Sequence, residues 1–214
     1  MSQATRAAES NPPRETLPAL HGLVLSGGAS TRMGKDKALL DWHGEPQLQA
    51  TFRLLSGHVR SCFVSLRSDQ RAEPVRAALP GIIDEIEGAG SAAGLLAAHA
   101  AYPEAAWLVL ACDLPLLQAS TLEALIRARD GQRAAIAYRS PIDGLPEPLC
   151  ALWEPAALAR LSHQAQAGRY GLREVLRSAD TLLLPAPGGG ELDNINTPQE
   201  RQRLALRMER GTSE

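Results

Sequence analysis

Aromatic side chains are scarce in this 214-residue chain: two Phe, three Trp and three Tyr, or 4% of it. That supply argues against the stacking platforms that hold single-stranded nucleic acid. Cysteine is scarcer still. Cys62, Cys112 and Cys150 lie far apart, form no CxxC pair and leave an odd count, which excludes the usual zinc and dithiol frameworks and any closed disulfide set. Cys62 and Cys150 fall in apolar, strand-like runs and are expected to be buried, inert thiols, a usage that fits a reducing cytoplasm. No apolar run approaches the length of a membrane span. Residues 1–18 (MSQATRAAESNPPRETLP) lack the apolar stretch of a signal peptide and are expected to form a mobile leader. Neither sign of charge dominates, with 22 Lys and Arg against 24 Asp and Glu. Such a chain has no global field to draw in nucleic acid or anionic lipid, so an anionic ligand needs a local site. The five histidines, His21, His43, His58, His99 and His163, show no metal-ligand spacing, and none is assigned to metal or catalysis.

What is present is enough for a core. Apolar residues make up 44% and charged residues 21%, which suits one folded domain, expected over 19–210. Strand-like and helix-like patterns alternate. Strands are expected at Leu20–Leu25, Cys62–Leu66, Ile82–Ile86, Trp107–Cys112, Ala134–Tyr138, Leu149–Trp153 and Leu182–Leu184. Helical spacing follows Pro46 at Leu48, Phe52 and Leu55. The stretch Asp69–Leu79 is helix-compatible, Ser91–Ala101 is Ala-rich, and Leu172, Val175 and Leu176 suggest a short helix. Ser120 with Glu123 forms a capping-box pattern, and Thr197-Pro198 with Glu200 announces a last helix running to about Met208. The alternation implies an α/β fold, a three-layer Rossmann-like sandwich whose mostly parallel sheet carries helices on both faces. Ligands in such sheets sit outside the carboxyl ends of the strands.

The connection after the first strand holds Gly27, Gly28, Ser30, Thr31, Arg32, Gly34, Lys35 and Lys37. Paired glycines let backbone N–H groups approach a bulky anion, hydroxyls add donors, and Arg32 and Lys37 add the charge a triphosphate needs. A Walker A loop is excluded, because Ala29 stands where its first Gly belongs and Asp36 where it needs Ser or Thr. A GxGxxG dinucleotide fingerprint is absent as well. Downstream, WLVLACDLP sets Asp113 directly after an all-apolar run. A carboxylate at the end of a buried strand is well placed for a hard cation such as magnesium. An acid before Leu-Pro is also ordinary turn chemistry, so the residue alone leaves both readings open.

Leu25-Ser26-Gly27-Gly28, then Ser30, Arg32-Met33-Gly34 and Asp36-Lys37-Ala38 resemble the LAGG-x-S-x-R-M-G-x-D-K-A signature. That signature marks the molybdenum cofactor guanylyltransferase family, within the nucleotide triphosphate transferase superfamily; Ser26 replaces the usual Ala. The resemblance spans nearly all of residues 21–208. It implies that Leu25, Ser26, Gly27 and Gly28 contact the nucleotide, that Lys37 meets the phosphates, and that Arg32 supports charge on the leaving pyrophosphate. The family's C-D-x-P motif maps its magnesium ligand to Asp113. Asp84 matches a nucleotide-contacting Asp. Ser65, beside Arg67, stands at the position of a nucleotide-contacting Asn. Gly94 is kept from a G-P-L-A-G segment that here reads Gly90-Ser91-Ala92-Ala93-Gly94, a departure that bears on base choice. Asn194 and Asn196 resemble the N-x-N-T-P element on the pterin side, and Leu145–Leu152 resembles a segment that shapes the acceptor pocket.

The reaction so implied is transfer of GMP from GTP to molybdopterin, with Mg2+ as cofactor and pyrophosphate as leaving group. An acceptor phosphate is already anionic at neutral pH and calls for no general base. The expected partners are GTP and the molybdopterin cofactor, with transient contact with cofactor-handling proteins, no nucleic acid and no membrane, as a monomer or weak oligomer. Three alternatives stand beside this. One is cytidylyl transfer, whose related loop reads LAAG, against Gly27-Gly28 here. Another is a sugar-phosphate nucleotidyltransferase, whose sugar-binding half usually needs a longer chain. The third is a non-catalytic nucleotide-binding module, which has less need of Arg32, Lys37 and Asp113 together.

Overall fold

The computed structural model describes residues 17–26, 36–41 and 44–194, Lys37 by its backbone alone. Gly27, Gly28, Arg32, Asn196 and the helix expected from Thr197 lie outside the described residues, as does most of the expected leader.

Seven strands form one sheet in the order β3-β2-β1-β4-β6-β5-β7. They are β1 (Leu20–Leu25), β2 (Ser61–Arg67), β3 (Gly81–Asp84), β4 (Ala106–Ala111), β5 (Ala135–Arg139), β6 (Pro146–Trp153) and β7 (Thr181–Leu184). All run parallel except β6, which is antiparallel to both β4 and β5. The carboxyl ends of β1 to β5 and β7 therefore share one edge with the start of β6. Among the described residues six helices flank the sheet: α1 (Gln47–Ser56), α2 (Pro74–Ala77), α3 (Ser91–Ala101), α4 (Ala119–Arg127), α5 (Pro155–Gln166) and α6 (Leu172–Ser178).

Period-two alternation divides the core between the two faces. Leu23, Trp107, Val109, Ala137, Ala151 and Trp153 pack with α3, α5 and α6. Val24, Leu108, Leu110, Ile136, Cys150 and Leu152 pack with Leu48 and Leu55 of α1 and Leu122 and Leu125 of α4. Strand β4 is buried at every position, which is why it reads as an unbroken apolar run: both faces are covered.

Several elements differ from expectation. The stretch Asp69–Leu79 is no single helix but a 3-10 turn at Ser68–Gln70 followed by the one-turn α2. Pro74 holds Glu73 extended and restarts the helix at its first position. Strand β3 ends at Asp84, two residues short of Ile86. Helix α4 begins at Ala119, so Ser120 lies inside its first turn and no capping box forms; Glu123 pairs instead with Arg127 at 3.1 Å. Helix α5 corresponds to none of the expected elements, although Pro155 followed by Ala157, Leu158 and Leu161 has helical spacing.

Candidate nucleotide site at the carboxyl edge

The chain runs outward from β1 through β2 to β3, then crosses back over β1 to β4. The strand order thus reverses between β1 and β4, the switch point at which doubly wound sheets open a crevice. Ser26 leaves one side of it and Asp113 the other. Their strands are joined there by a hydrogen bond from the Cys112 N–H to the Leu25 carbonyl, 3.2 Å. Asp113 is half-buried. The Cys112 thiol beside it is pushed up to about 12, first by burial and then by the carboxylates of Asp113 and Asp36, against an opposing Arg76.

A run of hydroxyl and carboxylate contacts crosses from β1 to β3. The buried Ser26 Oγ donates to the Ser65 carbonyl at 2.9 Å, and Ser65 Oγ donates to Asp84 Oδ2 at 2.7 Å. Gly94, in the first turns of α3, sits hard against this run. A Cβ there would lie 2.4 Å from Ser65 Oγ and 2.8 Å from Leu25 Cδ2. The structure thus brings Leu25, Ser26, Ser65, Asp84 and Gly94 together beside the switch point. Arg67 turns outward and forms two 3.0 Å bonds to Asp69. This pairing raises the arginine's pKa and lowers the carboxyl's.

Arg76 was not singled out from the sequence. In the alternation of Glu73-Pro74-Val75-Arg76 it reads as a surface residue, yet it is 1% exposed. Its Nη2 meets Asp36 Oδ2 at 2.8 Å, and its Nε and Nη2 reach Ser26 Oγ and the Ser26 carbonyl at 3.5 and 3.4 Å. No local pattern signals this burial, because, apart from Glu73 at the cap of its own helix, these contacts come from segments 40 and more residues away.

Farther along the edge, the loop before β6 carries Asp143, which Arg173 of α6 meets at 2.9 Å. Hydrogen bonds from Ser140 and from the Leu145 N–H, with the charge of Arg173, hold the Asp143 carboxyl below its ordinary range. Glu191 docks on the start of α4, accepting from the Gln118 N–H at 3.2 Å and from the Thr121 hydroxyl. This brings the segment ending in Asn194 to the same edge, with Asn194 itself exposed. A cavity of about 880 Å³ lies at the opposite edge, among Leu17, Arg129, Arg133, Glu154 and Asp180. It holds none of the expected residues; Arg129 pairs there with Glu154 and Arg133 with Asp180. Among the described residues no three His, Cys, Asp or Glu side chains converge to hold a metal ion, and no helix is long and apolar enough to cross a membrane.

A doubly wound sheet with these polar groups at its switch point defines an α/β protein with a ligand crevice at the carboxyl edge. The chain belongs to the family described as the MobA-like NTP transferase domain, which matches residues 22–182. It is 35% identical to a molybdenum cofactor biosynthesis bifunctional protein of Synechocystis over 85% of this chain; it spans about half, 52%, of that relative's length. It is also 35% identical to a probable molybdenum cofactor guanylyltransferase of Opitutus terrae, covering 86% of this chain and 94% of the relative. Among solved structures, molybdopterin-guanine dinucleotide biosynthesis protein A of Archaeoglobus fulgidus superposes with a TM-score of 0.70 over 86% of this chain and 95% of that one, at 24% identity. That likeness is one of fold.

Proposed function

We propose that the chain transfers GMP from GTP to molybdopterin, in the cytoplasm and with magnesium, forming the guanine dinucleotide cofactor and pyrophosphate. The observation that carries this reading is the placement of Ser26 and Asp113 on the two sides of the switch point, their strands joined through Leu25 and Cys112. The names of the relatives, molybdenum cofactor guanylyltransferase among them, support a molybdopterin acceptor and a guanine base.

The donor set suits magnesium. One half-buried carboxylate, Asp113, without a cluster of further acids among the described residues, matches an ion usually held by one or two carboxylates plus substrate phosphates. When bound, magnesium supplies neutralisation of the triphosphate and alignment of the attacking and leaving oxygens. The chain's own groups do the rest. Leu25, Ser26, Gly27 and Gly28 contact the nucleotide, Lys37 meets its phosphates, and Arg32 supports charge on the departing pyrophosphate. Ser65, Asp84 and Gly94 border the nucleoside. Asn194 and Asn196 serve the pterin side of the reaction. Fixed charge and alignment carry the rate, with no general base. This reading includes transient contact with cofactor-handling proteins and action as a monomer or weak oligomer.

The test is pyrophosphate release with molybdopterin as acceptor and GTP, CTP, ATP and UTP in parallel. Release with GTP is expected; release with CTP alone makes the enzyme a cytidylyltransferase, and release with none removes this reading. Asp113→Ala is expected to cut turnover on the order of 100-fold or more, with a smaller effect on nucleotide affinity. Near-normal transfer by that variant in magnesium removes the metal assignment.

A further inference from the structure

We propose that Arg76 is a positioning residue for nucleotide binding, fastening Ser26 at the end of β1 to Asp36 at the start of the turn that carries Lys37. The inference rests on the reading of residues 25–37 as the nucleotide grip.

Arg76 lies 50 residues from Ser26, yet it contacts the chain on both sides of residues 27–35. The strongest contact is to Asp36. One carboxylate oxygen of Asp36 takes the Arg76 guanidinium at 2.8 Å, and the other accepts from the Ala38 N–H at 3.1 Å. With both oxygens committed, the 3-10 turn Lys37–Leu39 starts from a set position, and so does the backbone of Lys37. The contacts to Ser26 are longer, and Ser26 is held independently by its bond to the Ser65 carbonyl. The guanidinium is itself oriented by its own helix. Glu73 caps α2 through the N–H groups of Val75 and Arg76, and its Oε2 faces Arg76 Nη1 at 3.5 Å.

Stability alone gives little reason to keep a charge here. A guanidinium this buried is costly to strip of water, and well-packed apolar side chains in place of buried ion pairs often fold as well or better. What an apolar side chain cannot supply is a planar fork that bonds Asp36 and Ser26 at once. Lys offers a point charge in place of that fork and reproduces only part of it. The arrangement therefore sets the spacing between the two ends of the grip and relates both to β2 and β3.

The experiment measures Mg·GTP affinity by titration calorimetry, with thermal unfolding, on the wild type, Arg76→Met, Arg76→Lys and Asp36→Asn. Arg76→Met is expected to weaken Mg·GTP binding between roughly 10- and 100-fold while its unfolding midpoint moves by no more than about 5 °C. Arg76→Lys is expected to recover part of the affinity. Asp36→Asn should weaken binding in the same direction, and combining it with Arg76→Met should add little. Should Arg76→Met not fold, Asp36→Asn, which alters a partly exposed carboxylate, carries the test alone. Wild-type-like affinity in whichever of these variants folds overturns the proposal. So does a loss of affinity that merely tracks lost stability and that Lys does not rescue. A wild type that binds no Mg·GTP overturns the nucleotide reading and this inference with it. A wild type that binds, with variants that bind equally well, overturns this inference alone.

Discussion

At Gly94 the spacing between helix and sheet leaves no room for a methyl group. The added Cβ would meet Ser65 Oγ and Cβ and Leu25 Cδ2, all within 2.9 Å. Helix propensity favours Ala over Gly by about 1 kcal/mol, yet overpacking of this kind costs about 1–3 kcal/mol. Gly94→Ala is therefore expected to be destabilising on balance, read as a lower urea midpoint, and to disturb the Ser65–Asp84 bond. A stability gain would show that α3 can move away from the sheet. The sequence resemblance had singled out Gly94 as a nucleotide contact; the structure supplies a packing reason for it. Cys62 and Cys150 are buried as expected, and Cys112 is buried with them. All three are free, and burial pushes Cys62 and Cys112 up to about 12. Arg76 was illegible for the opposite reason: its character comes from Asp36, Ser26 and Glu73 closing around it.

At the scale of elements, local pattern was a good guide wherever the core face was regular. Strand β1 and helix α3 match their expected bounds, and β4 differs by one residue at each end. Ends and caps were less legible, because their partners are remote. The start of α4 is satisfied by Glu191, 70 residues on from Thr121, and no window around Ser120 contains that. At the start of α5, Glu154 does not cap with its side chain. It pairs with Arg129 through bonds of 2.5 and 2.9 Å, and Arg129 also donates to the Pro18 carbonyl. Both side chains are under a tenth exposed. Removing one partner strands the other as a buried charge, so Glu154→Ala is expected to cost about 3–5 kcal/mol. Urea unfolding measures this, and a loss below about 1 kcal/mol would mean that water reaches the pair freely.

For the whole molecule, two histidines away from the site are expected to contribute to its sensitivity to acid. Burial is the first cause lowering both His21 and His99, with Arg60 adding to it at His21 and Glu104 opposing it at His99. Each has a buried Nδ1 without a hydrogen-bond partner. The folded chain thus holds them neutral where the unfolded chain does not. Above about pH 6.5 neither state carries the extra proton and the contribution is complete; as pH falls below that, the unfolded state binds protons first and stability is lost. The urea midpoint is expected to fall between about pH 7.5 and 5.5, and His21→Phe to flatten the decline. An unchanged slope in that variant would place the dependence elsewhere.

The sequence by itself determined the strand–helix alternation, the doubly covered β4, the parallel sheet and the signature around Leu25–Lys37. These are properties of neighbours along the chain, where apolar period and turn residues act locally. Only the tertiary structure decided the reversal of β6, the order that puts β1 beside β4, the docking of Glu191 on α4 and the burial of Arg76. Each of these depends on which distant segments meet, and hydrogen bonding between strands and desolvation of a charge are settled by that meeting alone.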